Sequence, residues 1–174
     1  MTAMDEGARQ ASDDDELEVT AYHEAGHALM AVHVGARVRE MSLNPAAEGK
    51  LDRYAEVAVE WPRQEFATRE YQIKAMQVAL AGPAAEMRYR GEPLHPGFVS
   101  EWAADWQAAW DASACLANDA AQRVSLLEHW TTYVYRWLDR AEHWAALAAI
   151  VDHLLAHEYL EGDEIDEIVA PWLG

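Results

Sequence analysis

From Glu16 onward the chain carries apolar residues at helical spacing, with Leu17, Val19, Tyr22, Ala25, Leu29 and Val32 falling along one side and Gly35 following as a stop. Residues 1–15 lack that period and contain most of an SDDDE run, so they read as a disordered or loosely attached acidic arm. After Gly35 the period shortens to two. VREMSLN (38–44) puts Met41 and Leu43 on one face, and AEVAVEW (55–61) does the same with Val57, Val59 and Trp61. Together they predict a small antiparallel sheet of two or three strands between Arg37 and Trp61. Helical spacing returns in PRQEFATREYQIKAMQVALAG (62–82), with Pro62 near the start and Gly82-Pro83 as a kink or restart point. The loop RGEPLHPGFVS (90–100) leads to a further helix beginning near Glu101, and the remainder reads as helix. The pattern predicts a mainly α-helical fold with a small antiparallel β element.

Composition narrows this picture. A chain of 174 residues suits one domain with its own core, and no internal repeat or linker divides it. The single Cys115 allows neither an internal disulfide nor a thiolate metal cage, so any zinc would be held by nitrogen and oxygen. No apolar run reaches the roughly 20 residues needed to span a bilayer, and the acidic N-terminus has no signal-peptide pattern; the expectation is a soluble, cytoplasmic protein without a membrane partner. A net charge of −18 with no Lys/Arg cluster argues against nucleic acid. Trp102, Trp106 and Trp110 recur every four residues, and Trp130, Trp137 and Trp144 every seven. Core packing explains both stripes. The heptad spacing would also suit a helix packed on a second copy of the chain, so a homo-oligomer is compatible with it.

The chemistry concentrates in TAYHEAGHALM (20–30). Residues four apart on a helix lie one turn above each other, so His23 and His27 can face one ion, with Glu24 beside them as a candidate general base. Zinc held there would polarise a carbonyl and lower the pKa of its water to about 7. His153 and His157 have the same spacing but no glutamate between them or next to His153, and read as a solvated face. A third ligand is required. His33 follows six residues after His27, but Met30 stands where a glycine would have to break the helix, so His33 should point elsewhere.

Three stretches in order, AYHEAGHALM (21–30), VALAGPAAEMRYRG (78–91) and LAAIVDHLLAHEYLEGDEIDEIV (147–169), resemble the peptidase domain of FtsH-type ATP-dependent zinc metalloproteases. The resemblance runs from about Thr20 to Val169. It implies a zincin-like helical metallopeptidase domain over residues 16–174, zinc as the cofactor, and peptides or unfolded protein as substrate. It further implies an aspartate near the start of the next helix as third ligand, and Asp105 in SEWAADWQAA (100–109) occupies that place. Glu86 is the rival, set against a purely structural carboxylate, and Asp119 in ANDAA (117–121) ranks third. The family's Thr-Gly-Ala-Ser-Asn-like approach to the aspartate is replaced here by SEWAA, and its arginine after Leu-Ala-Gly by Pro83. No Walker-type loop is present, so this chain would work without the family's motor or borrow one. Two functions stay open: a zinc peptidase using His23, His27, Asp105 and Glu24, or a peptidase-derived binding or regulatory module that cuts weakly or not at all.

Overall fold

A computed structural model describes residues 3–43 and 56–173. The first helix, α1 (Ala3–His33), is longer than its apolar period suggested. It begins at Ala3 and not near Glu16, so most of the stretch expected as a loose or disordered arm is continuous with the helix that carries the histidines. Ala8, Arg9, Gln10 and Ala11 are strong helix formers, and acidic residues are favourable toward a helix N-terminus, so local propensity favours a helix that begins before the apolar period does. Side chains 13–17 are exposed. The other end stops where expected. Gly35 takes a left-handed conformation (φ 87°), the Ala36 N–H donates to the Ala31 carbonyl at 2.9 Å and the Gly35 N–H to that of Val32 at 3.1 Å, a Schellman cap.

The chain then enters β1 (Arg37–Ser42), which pairs antiparallel with β2 (Glu56–Glu60). A bulge between Val38 and Glu40 turns both Val38 and Met41 to the core although they are three apart, and Leu43 shares the Met41 face as predicted. Asn44 and Ala55, the inner ends of the two stretches expected as strands, lie outside the described residues. A third strand, β3 (Tyr159–Glu161), pairs with the other edge of β1 and gives the order β2-β1-β3. It arrives from the far end of the chain, where three residues are too few to show a period.

Pro62 precedes a 3-10 turn (Arg63–Glu65), and α2 (Thr68–Arg90) starts only at Thr68. It runs unbroken through Gly82-Pro83, where a kink or restart was expected. A proline inside a helix costs roughly 3 kcal/mol. Here it lies among buried residues from Met76 to Met87, and that packing offsets the local penalty. Gly26 of α1 makes the crossing with α2 close: a Cβ there would lie 2.7 Å from the Ala85 Cβ and overlap the Ala81 carbonyl oxygen.

Two 3-10 turns, Pro96–Phe98 and Ser100–Trp102, lead into α3 (Ala103–Ala112). Then follow α4 (Ala120–Leu138), α5 (Ala141–His157) and α6 (Gly162–Leu173). The main core joins α1, α2, α5, α6 and the sheet, with Trp137 buried in it and Trp144 against it. A smaller cluster around Met76, Leu80, Ala109 and Leu127 takes Trp106, Trp110 and Trp130, so both tryptophan stripes are packing surfaces. Among the described residues no helix is long and apolar enough to cross a membrane. The architecture is mainly α with a small antiparallel sheet.

Candidate metal centre

α1 sets His23 and His27 one turn apart, with ring centroids separated by 4.9 Å. Both rings are pinned from behind by α2. The His23 Nδ1–H donates to Glu86 Oε2 at 2.9 Å, and the His27 Nδ1–H donates to the Val78 carbonyl at 2.7 Å. A carbonyl can only accept, which makes Nδ1 of His27 a protonated nitrogen and leaves Nε2 to face Asp105. A metal-ligating histidine characteristically has such a partner behind it.

The forward nitrogens meet α3. His23 Nε2 lies 2.9 Å from Asp105 Oδ2, His27 Nε2 lies 3.3 Å from Asp105 Oδ1, and the two Nε2 atoms are 3.2 Å apart. One ligand atom from each of His23, His27 and Asp105 falls within 4.8 Å of the others, a grouping able to hold a metal ion. Donors held tetrahedrally by zinc at about 2.0–2.1 Å stand roughly 3.3 Å from one another. The observed contacts are of that order, although they run to two different oxygens of Asp105 and are hydrogen-bond distances as well; two imidazoles with one carboxylate are a donor set zinc accepts.

Gly82 of α2 makes the approach sterically possible. A Cβ at this position would overlap His27 Nε2 and come within 2.7 Å of His23 Nε2. The glycine of the Leu-Ala-Gly stretch therefore clears space for the two rings.

The electrostatics favour a cation between the helices. Burial pulls His23 down, but hydrogen bonds to Asp105 and Glu86 outweigh it and raise the imidazole to about 10. His27 is raised in the same way, with burial opposing and Asp105 prevailing. Burial pushes Asp105 up, yet the two imidazoles hold it well below the usual carboxylate range. In the metal-free protein the positive charge is a proton; a metal ion would displace it.

Glu86 is not a third donor to this group. Its Oε2 accepts from His23 and from the Trp102 indole N–H at 2.7 Å, and its Oε1 accepts from Arg90 Nε at 3.0 Å. Burial raises its pKa, but those three donors lower it further, so the carboxylate stays charged behind His23. Among the described residues it stands outside the His23, His27 and Asp105 grouping, as a hydrogen-bonded carboxylate behind His23. Asp119 lies at the N-terminus of α4, where Oδ1 accepts from the Gln122 N–H at 2.8 Å. His33 is exposed, with its ring 4.4 Å from that of Trp137. His153 and His157 are exposed on α5, as expected of a solvated face.

Glu24 is buried (6% exposed) yet lies on the wall of a cleft of about 940 Å³ that also reaches His23, His27 and Asp105. Val57, Val59 and Trp61 of β2 and its exit, with Tyr71 of α2, supply the apolar side. Trp102 lines the cleft, while Trp106 packs in the smaller cluster with its ring 5.2 Å from that of His95. Sequence reasoning missed the roles of Val78, Gly82, Arg90 and Trp102. The i,i+4 pair of Glu86 with Arg90 was a visible signal, whereas a backbone carbonyl such as that of Val78 leaves none.

No protein-family model matches the chain, and no curated protein matches it.

Proposed function

We propose that this chain is a zinc-dependent metallopeptidase that hydrolyses peptide bonds in flexible or unfolded polypeptides, as its likeness to the FtsH-type peptidases suggests. The observation that carries the reading is the meeting of two back-pinned imidazoles with a carboxylate from another helix, in a cleft that Glu24 also lines. His23 and His27 would hold the ion through Nε2, and Asp105 through a carboxylate oxygen. Zinc, when bound, supplies a Lewis acid for the scissile carbonyl and brings the pKa of a water down to about 7.

The protein's own groups supply the rest. Glu24 takes a proton from the attacking water as its oxygen bonds to the carbonyl carbon, and hands that proton to the amine nitrogen as the C–N bond breaks. β2 is an edge strand, paired among the described residues with β1 alone, and its side chains line the cleft. An extended peptide can align beside such an edge through backbone hydrogen bonds. A folded substrate cannot present its backbone that way. Hydrolysis itself needs no nucleotide, so the isolated chain should cut short peptides slowly without ATP.

The test joins metal analysis with a digest. Protein purified without added metal should carry close to one zinc per chain, and His27→Ala should lose it. Zinc-loaded wild type should cleave an unstructured peptide library, while Glu24→Gln keeps the metal and loses activity by roughly 10²-fold or more. Zinc bound by wild type with no cleavage of any peptide would reject the peptidase and leave a metal-binding module.

A further inference from the structure

The cleft is charged beyond what its metal-facing residues require. Three more carboxylates line it: Glu16 on α1, Glu101 in the turn before α3, and Asp111 near the end of α3, all exposed. Arg90 is the one Lys or Arg among the described residues that line the cleft, and its guanidinium is committed to Glu86 at 3.0 Å. Glu101 accepts from the Ser100 hydroxyl at 3.1 Å and Asp111 from the Gln107 amide at 2.9 Å, neutral donors that leave the negative charge in place.

The placement of these groups sets their reach. At a rise of about 1.5 Å per residue, Glu16 lies roughly 10 Å along α1 from His23, and Asp111 roughly 9 Å along α3 from Asp105. An extended peptide advances about 3.3 Å per residue. Glu16 and Asp111 are therefore each removed from the His23, His27 and Asp105 cluster by about the length of three extended residues, and Glu101 lies one helical turn before Asp105 in the chain. Val57, Val59 and Trp61 form a low-dielectric wall beside them, which concentrates the field in the cleft instead of letting solvent disperse it.

We infer that the cleft selects peptides with a Lys or Arg two or three residues from the bond lying over the His23, His27 and Asp105 cluster. Selection of the bond to be cut rests on the peptidase reading above; selection of the bound peptide does not. The overall charge of −18 attracts any cation weakly and without preference for position. The local contribution is separable, because neutralising the three cleft carboxylates changes the net charge only from −18 to −15.

The experiment uses zinc-loaded full chain and a set of unstructured peptides that share one apolar sequence. They differ only in Lys, Gln or Glu at positions two and three residues from the centre. Wild type should cut the Lys peptides with kcat/KM about tenfold or more above the Gln peptides, with the Glu peptides lowest and the preference shrinking as salt is raised. The triple variant Glu16→Gln, Glu101→Gln, Asp111→Asn should lose most of that preference, read as the ratio of kcat/KM for Lys and Gln peptides within the one protein. A wild type that cuts all three sets alike, or a preference that survives the triple variant, overturns the inference.

Binding of the same peptides, labelled with a fluorophore, is measured in Glu24→Gln with and without the three substitutions. Lys peptides should bind about tenfold tighter than Gln peptides only when the three carboxylates are present, and equal affinity overturns the inference. Selective binding without any cleavage by wild type supports the charge selection and rejects the peptidase reading.

Discussion

His23 and His27 donate backwards, to Glu86 and to the Val78 carbonyl, and that orientation turns both Nε2 atoms toward Asp105. Removing the support should therefore weaken metal binding without removing a ligand. Glu86→Ala is expected to lower zinc affinity by about 10- to 100-fold in competition with a chromogenic chelator. Glu24→Gln should leave that affinity close to wild type. An unchanged affinity in Glu86→Ala would deny Glu86 its positioning role. Gly82→Ala sets two effects against each other. Alanine is the better helix former by about 1 kcal/mol, yet its Cβ would occupy the space of the His27 and His23 rings. The steric effect should win at the site: zinc content should fall while the far-ultraviolet circular dichroism of the helices is kept. The histidine pair was legible because one helix carries both residues and their glutamate. Glu86 was not, because its use depends on an imidazole 63 positions away.

The helices show where local rules hold and where packing overrides them. α1 ends at Gly35 as its sequence predicts, since a left-handed residue is needed there and glycine takes it without strain. α2 passes through Pro83 against its sequence, because the buried segment from Met76 to Met87 gains more from staying in register with α1 than the proline loses. β1 hides a bulge that lets Val38 and Met41 face the same way, and a strict period of two cannot reveal this. Asp119 gives a test at this scale. As the N-cap of α4 it should cost about 1 kcal/mol when changed to alanine, read from denaturant unfolding, with zinc content unchanged. Loss of zinc in Asp119→Ala would instead return Asp119 to the list of ligands.

At the scale of the molecule, the site ties together elements distant along the chain. His23 and His27 come from α1, their supports from α2, and Asp105 from α3. An ion bridging α1 and α3 would bind the folded chain and not the unfolded one, and would so stabilise the fold by mass action. Thermal unfolding should therefore shift upward as free zinc rises, by about 2.7 kcal/mol of stability when zinc reaches 100 times its dissociation constant. A chelator should reverse the shift, and His27→Ala should show none. A melting curve that ignores zinc in wild type would rule out this bridge.

Much of the helical content, the two longer strands and the pair of histidines flanking Glu24 were determined by the sequence itself, because each depends on residues within a turn or two of one another. Period, caps and the four-residue spacing on one helix face are local properties, and they survive whatever the rest of the chain does. Tertiary structure alone decided the third strand, the passage of α2 through Pro83 and the meeting of Asp105 with the histidines. Glu86 and the Val78 carbonyl came to stand behind the imidazoles in the same way, with Gly82 leaving the room for both rings. Each of these rests on contacts between segments far apart in the chain. Such contacts form only when buried surface shared by several elements outweighs the preference of any one of them, and no single stretch of sequence contains that balance.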